Sequence, residues 1–257
     1  MVLKIEKKND MKLRIENLAI GYTQTILEKI NLEARSGQLI ALIGANGSGK
    51  STFLKTLAGI LSPLKGGFYL DEMNITQLNP KERAKYIGIV LTDKLDMPLS
   101  VFDFLSLGRQ TFTGVLDRLT DSDYKVISQI MSELDLNKYK TSKVNELSDG
   151  ERQKVLIARA LIQETPVLLL DEPTTHLDIE NKAMLLQQLI KISKEQQKII
   201  ILSTHDINLI LPKTSKIWFA KEYNSINEIN NKQLYSENLF NSNLIRFDSN
   251  CNIFRLI

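Results

Sequence analysis

The sequence predicts an α/β fold with a mostly parallel sheet, an N-terminal antiparallel β subdomain and an inserted helical subdomain. Apolar and polar residues alternate over residues 12–34, which is typical of half-exposed antiparallel strands. Continuous apolar runs at 39–43, 167–170 and 199–202 have the pattern of parallel strands that are buried on both faces. Between about residues 93 and 157, helical periodicity replaces the strand patterns. These patterns divide the chain into two sheets and a helical insertion.

The same patterns place the individual elements in chain order. The predicted strands lie at residues 12–20, 26–34, 39–43, 67–71, 86–91, 167–170 and 199–202. The predicted helices lie at residues 51–61, 80–85, 101–107 and 122–134, and a helical stretch precedes each of the last two strands. This alternation favours βαβ units, which close the parallel core. The tail from about residue 222 is rich in Asn and Ser and predicts turns.

The composition excludes several classes of protein. The chain has 257 residues, of which 43% are hydrophobic and 25% charged, as in an ordinary globular domain. A net charge of +3 is too small to indicate a nucleic-acid partner. The single cysteine, Cys251, has no partner for an intrachain disulfide, and no run approaches the roughly 20 apolar residues that span a bilayer. We therefore expect a cytoplasmic protein that reaches a membrane only through a partner.

A glycine-rich run joins the buried strand at 39–43 to the next predicted helix. It fits the pattern G-x-x-x-x-G-K-[ST] and consists of Gly44, Ala45, Asn46, Gly47, Ser48, Gly49, Lys50, Ser51 and Thr52. In such a loop the glycines let backbone N–H groups approach phosphates, and the N-terminus of the following helix adds positive charge. Lys50 would contact the β- and γ-phosphates, Ser51 would bind Mg²⁺, and Thr52 would bind an adjacent phosphate. A tight turn before a helix is the alternative, but it leaves Lys50 and Ser51 unexplained, so the run predicts a P-loop NTPase core.

Two carboxylates end the second continuous apolar run. Asp171 and Glu172 directly follow residues 167–170, at the sheet edge where open α/β folds bind ligands. We expect Asp171 to hold Mg²⁺, directly or through water, and Glu172 to orient or deprotonate the attacking water. The alternative is a pair of acidic residues that opens a loop and caps the next helix. The phosphate loop favours the catalytic interpretation.

A second short motif resembles one particular family of nucleotide hydrolases. The motif consists of Leu147, Ser148, Asp149, Gly150 and Glu151. It resembles the L-S-G-G-E/Q signature of ATP-binding-cassette (ABC) ATPases. The resemblance covers about residues 12–221 and implies that Ser148 and the Gly150 backbone complete an ATP site on a second subunit. Asp149 replaces the first of the paired glycines and adds negative charge there. Ser148 and Glu151 also fit a helix N-cap, which is compatible with an anion site.

The family resemblance assigns four further positions. Tyr22 lies where ABC ATPases place an aromatic ring that stacks on adenine, and it also fits an ordinary aromatic at a strand end. Asp178 matches a residue that contacts the partner subunit, and His205 matches a histidine that contacts the γ-phosphate. Thr92 takes the place of the family's glutamine, which touches Mg²⁺ or the water. Its shorter side chain would reach the metal through a bridging water.

The resemblance also implies how the chain is divided. A single ABC ATPase domain is expected over residues 1–257. Its nucleotide-binding core would comprise residues 12–92 and 158–221, and its helical subdomain residues 93–157. Residues 222–257 would form a C-terminal appendage.

The predicted insertion indicates a class of cargo. Residues 99–109 resemble the equivalent stretch in ATPases of iron-siderophore, haem and cobalamin importers, where a leucine-rich helix is followed by Gly-Arg. We therefore expect an ATP- and Mg²⁺-dependent subunit that powers import of such a cargo across the cytoplasmic membrane. Its implied partners are a second copy, integral membrane permease subunits and a substrate-binding protein on the outer side, which places the chain on the inner face of the membrane.

The alternative function is that of a soluble ABC ATPase that acts in assembly or regulation, for instance of iron–sulfur clusters. A third function, that of a P-loop kinase, is disfavoured by the run at 147–153.

Overall fold

The computed structural model describes residues 10–91, 97–110, 118–175, 177–221 and 225–230, together with the backbone of Ile245–Asp248 and Ile253–Leu256. Its strands are β1 Lys12–Gly21, β2 Thr25–Arg35, β3 Leu39–Gly44, β4 Lys65–Leu70, β5 Met73–Asn74, β6 Ile87–Val90, β7 Val167–Leu170, β8 Ile199–Ser203, β9 Lys216–Ala220, β10 Ile226–Ile229, β11 Ile245–Asp248 and β12 Ile253–Leu256. Its α-helices are α1 Lys50–Ala58, α2 Pro80–Arg83, α3 Val101–Ser106, α4 Asp121–Glu133, α5 Asp149–Ile162, α6 Ile179–Glu195 and α7 Ile207–Ile210. None of the helices within these ranges has the length and apolar content needed to cross a lipid bilayer.

Six strands form the main sheet in the order β10, β9, β3, β8, β7, β6. The five strands from β9 to β6 run parallel, and β10 is antiparallel to β9. Every residue of β3, β7 and β8 is buried, as the continuous apolar runs predict. Because parallel strands end at the same edge of a sheet, the segments that follow β3, β8 and β7 lie side by side.

The smaller sheet is antiparallel, in the order β2, β1, β4, β5. Its register pairs Leu13 with Ala34, and both side chains are buried. One core cluster contains side chains from this sheet, from α1 and from the main sheet. Within it the ring of Phe53 on α1 meets the ring of Trp218 on β9 edge-on, with 6.2 Å between centroids. The shared core holds α1 against both sheets, and the α/β fold class predicted from the sequence is confirmed.

Helices fill the described part of the chain between β6 and β7. The predicted helices at 101–107 and 122–134 are present as α3 and α4, and both pack against α5. Helix α5 begins directly after its N-cap, Ser148, and continues through a buried apolar stretch to its end. The predicted boundary between residues 157 and 158 therefore falls inside one helix, because the buried face of α5 continues across it.

Two further elements differ from the expectation. Helix α1 ends at Ala58 rather than near residue 61, because Gly59 adopts a left-handed conformation with φ 80°. The periodicity predicts no strand after residue 202, yet β9 and β10 both belong to the main sheet. Since β10 pairs with β9, the sheet continues past the predicted end of the core at residue 221.

Arg109, at the end of the stretch that indicated a cargo class, is a buried side chain in the described part of the insertion. Its Nε donates to Asp123 Oδ1 at 2.7 Å, and its Nη1 donates to Ile162 O at 2.8 Å and to Glu164 Oε2 at 2.7 Å. Burial acts to raise the pKa of Asp123, but hydrogen bonds from Thr120 and Arg109 hold that pKa below its ordinary value. Arg109 therefore joins α4 to the end of α5 and serves the fold.

We predict that Arg109→Leu lowers the free energy of unfolding by about 3–5 kcal/mol, because Asp123 is left buried without its counter-charge. Glu164→Gln is the matched control, since Glu164 is 53% exposed and its ion pair is expected to contribute less than about 1 kcal/mol. Urea denaturation of both variants measures the difference. Equal small losses would contradict the structural role of Arg109.

Candidate active site

The glycine loop connects β3 to α1 and depends on backbone conformations that glycine allows. Gly44 has φ 154° and Gly49 has φ 93°. A Cβ on Gly44 would lie 2.5 Å from the backbone oxygen of Ala220, and a Cβ on Gly49 would lie 2.8 Å from Leu27 Cδ1. The loop is thus pressed against β9 on one side and β2 on the other. Close packing holds its backbone in one conformation at the start of α1.

Lys50 is buried within this loop. Its Nζ donates to the backbone oxygens of Gly44 and Ala45, each at 2.9 Å. Burial lowers the pKa of Lys50, and the opposing effect of nearby Glu172 and Asp171 is smaller. The ammonium group therefore lies within electrostatic range of both predicted catalytic carboxylates.

Other loop residues provide hydrogen-bond donors that fit a phosphate. The Ser48 hydroxyl is buried and makes no hydrogen bond within the described residues. The N-terminus of α1 has no side-chain cap, so its first N–H groups remain available to an anion. Asn46 and Gly47 are exposed at the loop tip, while Thr52 is buried and Ser51 half-buried in the first turn of α1. An unpartnered buried hydroxyl, a lysine and an uncapped helix start together match the chemistry of nucleotide phosphates.

Ser203 connects the side chain of Asp171 to the backbone of Glu172. It ends β8, is buried, and its Oγ donates to Asp171 Oδ1 at 2.6 Å. The same oxygen accepts a hydrogen bond from the backbone N–H of Glu172 at 2.9 Å. Glu172 has φ 47°, a left-handed conformation that is unusual for a residue with a side chain. One serine thus ties the Asp171 carboxylate to the backbone N–H of Glu172 at the end of β7.

His205 lies directly against Glu172. Its Nε2 is 2.6 Å from Glu172 Oε1, and Thr175 Oγ1 donates to Glu172 Oε2 at 3.3 Å. Both partners of the pair are partly exposed, at 45% for His205 and 29% for Glu172. The arrangement leaves the carboxylate oriented by two groups and open to a reactant from the solvent side.

The signature-like run begins α5 and forms the predicted cap. Ser148 Oγ accepts from the Glu151 N–H at 3.4 Å and donates to Glu151 Oε2 at 2.7 Å, while Ser148 N donates to the same oxygen at 2.9 Å. The Tyr139 hydroxyl donates to Glu151 Oε1, and this bond, together with those from Ser148, holds the pKa of Glu151 below its ordinary value. Ser148 is exposed, and its hydrogen bonds within the described residues are to its own helix.

The additional negative charge of Asp149 is paired within the same helix turn. Asp149 Oδ1 accepts from Arg152 Nη1 at 3.0 Å, and Arg152 Nη2 donates to Leu147 O at 2.8 Å. A Cβ on Gly150 would lie 3.2 Å from Leu177 Cδ2. The start of α5 therefore adjoins the segment that leads from Glu172 to Asp178.

Of the three remaining predicted positions, the structure describes Asp178 and Tyr22. Asp178 caps α6, where its Oδ1 accepts from the Asn181 N–H at 2.8 Å, and this bond lowers the pKa of Asp178. Tyr22 is exposed just beyond the end of β1. Thr92 lies outside the described residues.

Comparison with known proteins identifies the family. The ABC transporter family matches residues 27–175, more than half of the chain. The chain belongs to this family. An uncharacterised ABC transporter ATP-binding protein of Methanocaldococcus jannaschii is 41% identical over 216 residues, which cover 83% of this chain and 74% of the relative. The iron(3+)-hydroxamate import ATP-binding protein FhuC of Bacillus subtilis is 38% identical over 198 residues, 76% of this chain and 74% of the relative.

A solved structure agrees with this membership. The ATP-binding cassette MJ0796, a dimer in a post-hydrolysis state with ADP and Pi, has a TM-score of 0.74 to this chain at 27% identity. The match covers 85% of this chain and 98% of the cassette. This ABC protein is therefore an ATPase that binds and hydrolyses nucleotide, as the resemblance of its motifs implies.

The ABC fold also brings residues to the site that the sequence interpretation missed. The clearest examples are Ser203, which contacts Asp171 and the Glu172 backbone, and Asp206, next to His205. Ser203 is the first polar residue after the apolar run at 199–202, so it marks the strand end nearest His205. That position was the available signal, but its contact with Asp171 depends on the pairing of β7 with β8.

We predict that Ser203→Ala lowers the ATPase rate about tenfold, because Asp171 and the Glu172 N–H lose the group that fixes their relative position. The partly buried N–H of Glu172 is left without its acceptor, which is expected to cost about 1 kcal/mol of unfolding free energy. Steady-state hydrolysis and thermal unfolding measure the two effects.

Ser193→Ala is the matched control. Ser193 is equally buried, and its Oγ donates to Ile190 O at 2.8 Å within α6. Its loss is expected to reduce stability by a similar amount and to leave hydrolysis unchanged. An equal fall in the rates of both variants would refute the specific role of Ser203.

Proposed function

We propose that Glu172 acts as the general base for ATP hydrolysis and that His205 orients it. The observation that carries the proposal is the 2.6 Å contact between His205 Nε2 and Glu172 Oε1, at a carboxylate whose backbone is tied to Asp171 through Ser203. Glu172 accepts a proton from the attacking water while the water oxygen forms a bond to the γ-phosphorus. The bond from the γ-phosphorus to its bridging oxygen breaks, and the electron pair leaves on ADP. Lys50 stabilises the negative charge on the transferred phosphoryl group.

Mg²⁺ is the metal that the residues around the glycine loop fit. The Ser51 hydroxyl and the Asp171 carboxylate are oxygen donors of the kind that Mg²⁺ prefers, with phosphate oxygens and water as further ligands. Across the described ranges no group of three or more His, Cys, Asp or Glu side chains forms a metal site. A protein that supplies two oxygen ligands suits a cation that arrives with the nucleotide. Bound there, Mg²⁺ would neutralise charge on the phosphates.

We assign the exposed α5 start and the Asp178 loop to the ATP site of a second copy. Ser148 and Gly150 present a helix N-terminus to solvent, and Asp178 lies next to it through Leu177. The similar cassette MJ0796 is a dimer with ADP and Pi, which supports this arrangement. Tyr22, exposed just beyond the end of β1, is proposed to stack on adenine.

The cargo we propose is an iron(III) chelate, imported through permease subunits on whose inner face this chain is bound. The support is the 38% identity to FhuC, an iron(3+)-hydroxamate import ATP-binding protein. Import of such a chelate further requires a substrate-binding protein on the outer side. Haem and cobalamin belong to the same class of large chelates, and the transport experiment below separates them.

The catalytic assignment predicts that Glu172→Gln retains ATP binding and loses about 10²–10⁴-fold in turnover, because the amide cannot accept the proton of water. Nucleotide affinity is measured by equilibrium binding and turnover by phosphate release. Glu195→Gln, at the exposed end of α6, is the control and is expected to hydrolyse ATP normally. Retained turnover in Glu172→Gln would remove the role given to Glu172.

The transport assignment predicts that the tagged chain co-purifies with an integral membrane protein after mild detergent extraction. In proteoliposomes with the matching substrate-binding protein, an iron(III) hydroxamate is expected to stimulate hydrolysis, while the iron-free chelator, haem and cobalamin do not. The Glu172→Gln complex controls for uncoupled ATPase activity. Recovery of a complex made only of soluble proteins would contradict the proposal and favour an assembly or regulatory ATPase.

A further inference from the structure

Asp206 occupies a helix-start position without acting as a cap. It is the N-cap residue of α7, where an aspartate normally accepts a hydrogen bond from the helix, yet its side chain makes no such bond. Instead Oδ1 lies 2.8 Å from Lys182 Nζ, and Oδ2 accepts from Thr174 Oγ1 at 2.6 Å. The carboxylate is therefore directed toward two other segments of the chain.

These two contacts join the three segments that surround the site. Thr174 follows Glu172 by two residues, and Asp206 follows His205 directly. Lys182 lies in the first turns of α6, four residues after its cap, Asp178. A single carboxylate thus connects the base, its histidine and the helix that begins at the proposed subunit contact.

The backbone around His205 is fixed on both sides. The Asp206 N–H donates to Thr204 Oγ1 at 2.9 Å, and the Ile207 N–H donates to the His205 backbone oxygen at 2.9 Å. The imidazole itself is 45% exposed, so close packing contributes little to its orientation. Its position against Glu172 depends on where this short segment is held, and the side chain of Asp206 is the anchor of that segment.

We propose that Asp206, clamped by Lys182 and Thr174, is a positioning residue for the Glu172–His205 pair. It holds the histidine at hydrogen-bond distance from the base and acts only through that pair. The inference rests on the proposed roles of Glu172 and His205. Its consequence is a specific loss of turnover when the clamp is opened, with nucleotide binding intact.

The chain contains a matched ion pair that separates positioning from stability. Lys216 and Glu228 are also 2.8 Å apart, with exposures of 23% and 46%, against 24% and 29% for Lys182 and Asp206. Lys216 also donates to Glu33 O at 3.1 Å. In the main sheet Lys216 lies opposite Ile40, at the beginning of β3, whereas the glycine loop follows the end of that strand. Partly exposed pairs of this kind contribute little to folding stability, so both losses are expected to be thermally mild.

The test compares Asp206→Ala, Lys182→Met and the control Lys216→Met in the full chain with ATP and Mg²⁺. We expect Asp206→Ala to lower kcat about tenfold, because small misplacements of a catalytic group have effects of this size. Lys182→Met is expected to have a smaller effect in the same direction, since Thr174 still holds one oxygen. The Kd for ATP is expected to stay at the wild-type value in all three variants, and the unfolding temperature is expected to fall only slightly.

A double variant tests the connection directly. Because Lys182 acts through Asp206, adding Lys182→Met to Asp206→Ala is expected to cause no further loss of kcat.

Three results would overturn the inference. The first two are a wild-type kcat in Asp206→Ala and an equal loss of kcat in Lys216→Met. The third is a fall in ATP affinity or unfolding temperature that accounts for the lost rate. Retained turnover in Glu172→Gln would instead show that the proposed catalytic role is wrong, which is a distinguishable result.

Discussion

The parallel pairing of β3, β8 and β7 is the constraint on which the active site depends. Its register sets Leu42 opposite Ser203 and Leu170 opposite Leu202. A shift of one residue would turn Ser203 to the opposite face of the sheet and separate it from Asp171. These strands are buried on both faces, so an alternating polar pattern cannot specify their register and close packing of the core has to do so. The relative position of Asp171, Glu172 and Ser203 therefore depends on how the apolar side chains pack on both sides of the sheet.

The role of a residue can be predicted from the sequence where local geometry sets it. Where the role depends on which strands pair, the sequence does not identify the residue. A glycine loop carries its own conformation, so its pattern predicts both the turn and the helix that follows. Ser203 and Asp206 contact partners about 30 residues away in the chain. A single polar residue after a strand marks the end of that strand but does not identify its partner. The division expected at residue 157 follows a change in the sequence pattern, whereas α5 is one continuous helix that begins in the signature-like run and contacts β6.

Arg109 shows that a residue in a family-like motif can have a structural role. In the sequence it stood beside a leucine-rich helix and indicated a class of cargo. In the structure it is buried, and its guanidinium bonds to α4 and to the end of α5. A buried arginine that satisfies several acceptors is costly to remove, so it marks how the helical insertion is attached. The support for an iron chelate therefore comes from the overall similarity to FhuC and not from this residue.

The cap at the start of α5 and a binding site for a phosphate can coexist because the hydrogen bonds of Glu151 are redundant. Glu151 accepts from the Tyr139 hydroxyl, the Ser148 N–H and the Ser148 hydroxyl. If the Ser148 hydroxyl turns its single proton to a phosphate oxygen, the first two donors still hold the carboxylate. Arg152 meanwhile pairs with Asp149, so the carboxylate that replaces glycine does not face the incoming anion as an unpaired charge. The Ser148 hydroxyl can therefore donate to a phosphate bound by a second copy instead of to Glu151, and the other hydrogen bonds of the cap remain.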